Sequence, residues 1–243
     1  MENLKKILIL NQEGKQIKIM QRKDMFCISL DTILLINFIK IRPSTKKIID
    51  FGTNNAVLPI LLTNKFDGKI IGIEIQKPAV DLAIENVELN NLSNRISIVH
   101  DDIKNYCDKN LEKVDLIICN PPFFPLLEKS KTKLQPLKVA ARHEVHINLE
   151  QIIASAAKLL KDKGKLVMVH AAQRINELLL LLQKYQITPK ILQIVYPKVN
   201  QAANVFLIEA GFLANPGMIV LPPLICHNNN DTYIDEIAKW YKS

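Results

Sequence analysis

Val114-Asp115-Leu116-Ile117-Ile118-Cys119-Asn120-Pro121-Pro122-Phe123 is the stretch on which the reading of this chain turns. Its first six residues are apolar and rich in β-branched side chains, and two prolines end the run. That predicts a strand buried on both faces of a parallel sheet. Each proline lacks an N–H and confines the residue before it to extended geometry. The corner therefore presents acceptors and few donors: the Asn120 side-chain carbonyl and the backbone carbonyls beside it. Two convergent acceptors suit a planar NH2 group with its two N–H bonds. Phe123 adds a flat apolar face for the plane that carries the amine. These residues read as a place where an amino group is held while its nitrogen reacts. The plainer alternative is a proline-terminated strand followed by a buried Phe.

Outward from this strand, two periodicities alternate. Strands are predicted at 46–51, 69–75, 95–99, 114–119 and 165–170, and helices at 56–65, 78–91, 148–161 and 174–186. Such alternation predicts a parallel sheet with helices on both faces, because right-handed crossovers leave little else. Residues 190–196, 203–210 and 217–221 read as strands finishing the sheet, with antiparallel pairing at one edge. Ahead of the alternation, 7–21 reads as a hairpin around Asn11-Gln12-Glu13-Gly14, and 29–40 as a helix capped near Ser29. Residues 1–45 are thus expected to form a hairpin-and-helix extension packed on a main domain of residues 46–243. A terminal helix, 231–242, carries the only tryptophan, Trp240.

The 243 residues, 48% of them hydrophobic, suit one large α/β domain with a sizeable core. A formal charge of +8 points to an acidic or polyanionic partner. That inference is discounted because only five of the 32 basic residues are Arg, and abundant Asn and Ile suggest AT-rich coding bias. Cys27, Cys107, Cys119 and Cys226 show no metal spacing, and three lie in apolar surroundings. Reduced core thiols of a cytoplasmic protein are expected, with no metal. Ile7–Leu10 is too short for a signal peptide. The run Leu178–Leu182 is too short to span a bilayer and reads as a buried helix.

Ligands of open α/β sheets bind at the carboxyl ends of the strands. Asp50-Phe51-Gly52-Thr53-Asn54-Asn55-Ala56 follows one such strand, Glu74 ends the next, and Asp101-Asp102 follow the third. A glycine turn followed about twenty residues on by an acid is the signature of dinucleotide sites and, equally, of adenosyl sites, where the carboxylate chelates the ribose hydroxyls. Each acid alone is more often a turn former or helix cap. Three acids and then Asn-Pro-Pro-Phe, after four strands in fixed order, form a pattern that chance rarely produces. Between Phe124 and Ile147 lies the longest aperiodic stretch, with Lys129, Lys131, Lys133, Lys138, Arg142 and His143. Directly after the corner, it is expected to be a substrate lid rather than a solvated loop. His143 and His146 lack a third partner and read as loop residues.

This order of motifs resembles class I S-adenosylmethionine methyltransferases, specifically the amino-methylating ones with an N/D-P-P-Y/F/W motif. Within them it resembles the tRNA(Val) adenosine-37 N6-methyltransferases. The resemblance runs from about residue 20 to the C-terminus. It is carried by Phe26-Cys27-Ile28-Ser29-Leu30-Asp31-Thr32-Ile33-Leu34-Leu35, Ile49–Pro59, Cys119–Phe123 and Ala141-Arg142-His143-Glu144. Downstream it continues in Tyr196-Pro197-Lys198, Ala202–Glu209 and Pro222-Pro223-Leu224-Ile225. It implies an α/β class I (Rossmann-like) fold with a mostly parallel seven-stranded sheet, and S-adenosylmethionine as cofactor.

In the same way, the resemblance implies that Asp50, Gly52, Thr53 and Asn54 shape the cofactor turn. Asp31 lines the pocket, Glu74 holds the ribose and Asp102 receives the cofactor's adenine amine. Asn120, Pro121 and Pro122 form the catalytic corner, Asn120 and Pro121 binding the target amine at the cofactor, and Phe123 stacks on the target base. The implied partner is a tRNA anticodon loop, where an adenine is already unpaired. Lys129, Lys131, Lys133, Lys138 and Arg142 become phosphate contacts, and a monomer is expected. Asn54 and Ala56 stand where the group usually has Gly. Asn tolerates a positive φ, whereas the Ala56 methyl group is expected to crowd the backbone approach to the ligand. A release-factor glutamine or rRNA guanine N-methyltransferase fits the same corner, since those amines are also planar. Asn54 and Ala56 also keep open a non-catalytic RNA-binding factor.

Overall fold

The computed structural model describes residues 5–12, 15–25, 27–110, 112–123, 147–228, 230–234 and 237–238. Strands β1 (Lys5–Gln12) and β2 (Lys15–Arg22) pair antiparallel as the expected hairpin. After α1 (Leu30–Phe38) the alternation begins: β3 (Lys47–Phe51), α2 (Val57–Leu62), β4 (Lys69–Glu74), α3 (Lys77–Leu89), β5 (Ile96–His100), α4 (Ile103–Lys109) and β6 (Val114–Cys119). It continues with α5 (Leu149–Leu159), β7 (Leu160–Ala171), α6 (Ile175–Lys184), β8 (Ile187–Tyr196) and β9 (Val205–Phe212). Two short strands, β10 (Ile219–Val220) and β11 (Leu224–Ile225), complete it.

The long strands lie in the order β5-β4-β3-β6-β7-β9-β8, and both short strands add to β8. From β5 to β7 all neighbours are parallel, while β9 runs antiparallel to β7 and β8. The chain winds outward from β3 in one direction and from β6 in the other. The strand order reverses between them, which is where such sheets open a crevice for ligands.

Alternation along each central strand builds two cores. Ile48, Leu116 and Ile118 pack on the side of α1, α2 and α3, whereas Ile49, Phe51, Ile117 and Cys119 pack against α4, α5 and α6. Burial on both faces explains why the runs are unbroken, and each such side chain contributes about 1.5–3 kcal/mol. A capping box starts α5: Asn148 Oδ1 accepts from Gln151 N at 2.9 Å, and Gln151 Oε1 from Asn148 N at 3.0 Å.

The structure differs from the sequence reading in four places. Helix α4 was not expected, because Ile103–Lys109 is too short to display a helical period. In α6 only Leu178 and Leu182 are buried, and Leu180 is 59% exposed. The leucine run is thus one seam of an amphipathic helix, not a buried helix. The strand expected at 217–221 is only the two-residue β10, and the sheet also carries β11, which was not expected. The terminal helix expected at 231–242 does not begin there: residues 231–234 are not helical, Tyr233 forming an antiparallel bridge with His227, while 237–238 are helical and Trp240 lies outside the described residues. No helix among the described residues is long and apolar enough to cross a membrane.

Candidate active site

A cavity of about 430 Å³ opens at the carboxyl ends of β3, β4, β5 and β6, walled on one side by α1. Asp31, Gly52, Thr53, Asn54, Glu74, Asp102 and the corner Asn120–Phe123 all line it. The turn after β3 is tied down locally. The N–H groups of Gly52 and Thr53 both donate to Ile73 O, at 2.9 and 3.0 Å, folding the turn over the end of β4. Thr53 sits so close to β4 that a Cβ on Gly72 would lie 2.7 Å from Thr53 Cγ2, which requires glycine there. Glu74, 6% exposed, accepts from Asn54 N through Oε2 and from Gln76 N through Oε1, both at 2.9 Å.

Three residues of the turn are left-handed: Gly52 at φ 70°, Asn54 at 49° and Ala56 at 62°. A Cβ on Gly52 would meet no protein atom within 4 Å, so its backbone is bared to the cavity. Ala56 corrects the expectation placed on it. It is fully buried, its methyl group belongs to the core beside α1, α2 and α3, and it is not on the cavity wall. Its cost is backbone strain of about 1–2 kcal/mol, not obstruction of a ligand.

Asp50 also lies behind the wall rather than on it, 1% exposed. Its two oxygens, Thr53 Oγ1 and Asn55 Nδ2 are buried without a hydrogen-bond partner of good geometry. Burial pushes the Asp50 carboxyl up to about 7; the nearby Thr53 hydroxyl opposes this and the Glu74 charge adds to it. Burial likewise pushes Asp31 up to about 6. Asp102 caps α4, its Oδ1 accepting from Lys104 N at 2.8 Å. The acceptors of Glu74, Asp102 and Asp31, the bared backbone at Gly52 and the unpartnered Asn55 Nδ2 suit one ligand. It would combine a diol, an exocyclic amine, a cationic centre and a carboxylate, which is the chemistry of S-adenosylmethionine.

The target corner is held differently. Asn120 Nδ2 donates to Thr32 Oγ1 at 3.2 Å, which leaves Oδ1 as the acceptor toward a substrate. Phe123 O accepts from Arg174 Nη1 at 3.3 Å. Arg174, 9% exposed, is fixed in turn by Glu177 through Nε at 2.8 Å and Nη2 at 2.6 Å. The Phe123 ring lies 5.4 Å from the His170 ring at 37°, and His170 stacks on Phe206. His170 is fully buried; burial, helped by the Arg174 charge, pushes it down to about 4, so the ring is neutral at pH 7. Its Nδ1 accepts from Ala171 N at 2.9 Å.

Thr32 lies in a stretch that carries the resemblance but was given no role there, and His170 and Arg174 carry no motif. One signal was available: His170 is a polar residue near the carboxyl end of β7, the type of position that singled out Glu74. Lys129, Lys131, Lys133, Lys138, Arg142, His143 and His146 lie outside the described residues. Among the described residues, no three His, Cys, Asp or Glu side chains gather as metal ligands.

The methyltransferase small domain family model matches residues 16–190. The chain belongs to this family. Among its relatives, a tRNA1(Val) (adenine(37)-N6)-methyltransferase of Trichodesmium erythraeum is 27% identical over 163 residues, 66% of each chain. Proteins of the same description from Porphyromonas gingivalis (strain ATCC BAA-308 / W83) and Tolumonas auensis are each 31% identical. They match over 57% and 64% of this chain and 55% and 63% of their own. The chain thus spans between 55% and 66% of these relatives' lengths. A solved structure of a predicted O-methyltransferase from Agrobacterium tumefaciens superposes with a TM-score of 0.68 at 16% identity, over 87% of this chain and 95% of its own. The 16S rRNA N2 G1207 methyltransferase of T. Thermophilus, in complex with AdoMet and guanosine, gives 0.60 at 15% identity over 86% and 51%. These two likenesses establish the class I methyltransferase fold.

Proposed function

We propose that this chain is an S-adenosylmethionine-dependent N-methyltransferase acting on N6 of adenosine 37, beside the anticodon of a valine tRNA. The observation that carries the reading is one cavity lined both by the Gly52 turn with Glu74 and by the Asn120–Phe123 corner. The names of the relatives support the tRNA adenine as target. Four free cysteines, three of them buried, support a reducing compartment such as the cytoplasm.

When bound, S-adenosylmethionine supplies a methyl group made electrophilic by its positive sulfur. Glu74 accepts from the ribose hydroxyls, Asp102 from the cofactor's adenine amine, and Asp31 faces its cationic end. Asp50 sets the turn from behind. Asn120 Oδ1 and the carbonyl of Pro121 accept both N–H bonds of the target amine, with Pro122 stiffening the corner. An adenine amine is a poor nucleophile because its lone pair is delocalised into the ring. Gripping both hydrogens shifts density back onto nitrogen and aims the lone pair into the cavity. Positioning of this kind contributes on the order of 7–11 kcal/mol in well-oriented systems. Phe123 stacks on the base, and the released proton goes to water. Lys129, Lys131, Lys133, Lys138 and Arg142 contact phosphates.

The test is mass mapping of modified nucleosides in cells with and without the protein. N6-methyladenosine at tRNA position 37 should disappear with it. Loss of methylguanosine from rRNA, or of methylglutamine from a release factor, would replace the target. No change in any of them would overturn the reading.

A further inference from the structure

We propose that Thr32 is a positioning residue that selects which end of the Asn120 amide meets the target amine. The inference rests on the reading of Asn120 as the amine-holding group. The two ends of a primary amide are nearly the same size but opposite in polarity: oxygen accepts and NH2 only donates. Turned the wrong way, Asn120 would set NH2 against NH2, two donors head to head. Packing alone discriminates poorly between the two orientations, because shape scarcely differs. A hydrogen-bond partner on the far side does discriminate.

Thr32 is that partner. Its Oγ1 lies 3.2 Å from Asn120 Nδ2 and 3.4 Å from Ser29 Oγ. A hydroxyl has one proton to give. Either hydroxyl of the Ser29–Thr32 pair can donate; the observed amide orientation, with Nδ2 toward Thr32, is the one in which Thr32 gives its proton to Ser29 and offers Asn120 its lone pairs. Thr32 is 7% exposed, and the next four residues of α1, Ile33 to Ile36, are buried in the main core. The hydroxyl therefore cannot drift away from the corner. Helix α1 thus sets the polarity of an amide 88 residues away in the chain, while Asp31 beside it lines the same cavity.

The experiment uses the full chain with S-adenosylmethionine and bulk tRNA, and four variants: Thr32→Val, Thr32→Ser, Asn120→Asp, and Thr32→Val combined with Asn120→Asp. Thermal melting and calorimetric cofactor binding accompany each. Thr32→Val keeps the shape and should lower kcat about tenfold, the worth of one good hydrogen bond, with cofactor affinity unchanged. Thr32→Ser should restore kcat. A carboxylate has no wrong end, so Asn120→Asp serves as a background, lowered in kcat in its own right, in which adding Thr32→Val should lower kcat no further. Equal losses in both backgrounds would make Thr32 merely structural and overturn the inference. So would an unaffected Thr32→Val, or a Thr32→Ser as slow as Thr32→Val. Failure of the underlying reading is a separate outcome, visible as an inactive wild-type chain before any variant is made.

Discussion

At the cofactor side of the cavity, the backbone is held by a near neighbour: Asn54 N and Gln76 N both donate to Glu74, which lies 20 residues on from Asn54. At the target side, Asn120 is held by Thr32, 88 residues earlier, and Phe123 by Arg174, 51 residues later. One wall is built on a βαβ turn whose geometry follows from its own sequence, with Asp31 and Asp102 added from α1 and the start of α4. The other is a short proline corner whose side chains are aimed by helices from both ends of the domain. Damage to the first should therefore cost cofactor affinity and stability together. Damage to the second should cost turnover while leaving the cofactor in place.

The sharpest division between the walls comes from Asn120→Ala. Removing the acceptor should lower kcat on the order of 10²–10³-fold, as losing one aligned group at a reaction centre does elsewhere. Calorimetry with S-adenosylmethionine should change little. If cofactor binding collapsed with turnover, the walls would not be separable and the role given to Asn120 would be wrong.

The mirror experiment is Glu74→Gln. The amide would keep one oxygen for two backbone donors and turn an NH2 against the other. Hydrogen bonds to a charged group are worth about 1.5–3 kcal/mol each, so cofactor affinity should fall roughly 10–100-fold. Melting temperature should fall with it, because the Asn54 turn loses its anchor. At saturating cofactor, kcat should hold. A selective loss of kcat would erase the comparison from the other side.

This division also explains what the sequence disclosed. Glycine at position 52 and an acid at position 74 are linked by local chain geometry, so spacing alone reveals them. Asn-Pro-Pro-Phe is legible for the same reason, since prolines dictate the backbone around themselves. The groups that aim the corner are not. Thr32, His170 and Arg174 matter only because tertiary packing brings α1, β7 and the start of α6 to one place. Nothing in the local pattern of Leu30-Asp31-Thr32-Ile33 points to an asparagine beyond β6. Short α4 escaped for another reason: its length hides its period. The inward methyl of Ala56 escaped because a left-handed φ turns a side chain away from where an ordinary backbone would place it.

A smaller effect, confined to the cofactor wall, comes from pH. Burial raises Asp50 to about 7, above its ordinary range, so the folded state keeps a proton that the unfolded chain has already lost. Stability from this group is complete below the unfolded value and is lost as the pH rises through about 7. Across this range the loss is about 1.4 kcal/mol for each pH unit. Asp31 acts with the same sign up to about 6. Without ligand, the melting temperature should therefore carry a falling contribution between ~pH 4 and ~pH 7, and Asp50→Asn should flatten that slope. An unchanged slope in Asp50→Asn would mean that the carboxylate has found a partner and does not strain the turn.

The smallest effect belongs to Ala56→Gly. Glycine at φ 62° relieves strain of about 1–2 kcal/mol. Against that stand the loss of one buried carbon, about 0.8 kcal/mol, and the greater freedom of glycine in the unfolded chain, roughly 0.5–1 kcal/mol. The contributions nearly cancel, so the melting temperature should move by no more than about 4 °C. Affinity for S-adenosylmethionine should stay the same, because the methyl group packs into the core and never meets the ligand. Tighter binding in the glycine variant would mean that the methyl faces the cavity after all. The cofactor wall would then be partly obstructed, and its contrast with the target wall would be weakened.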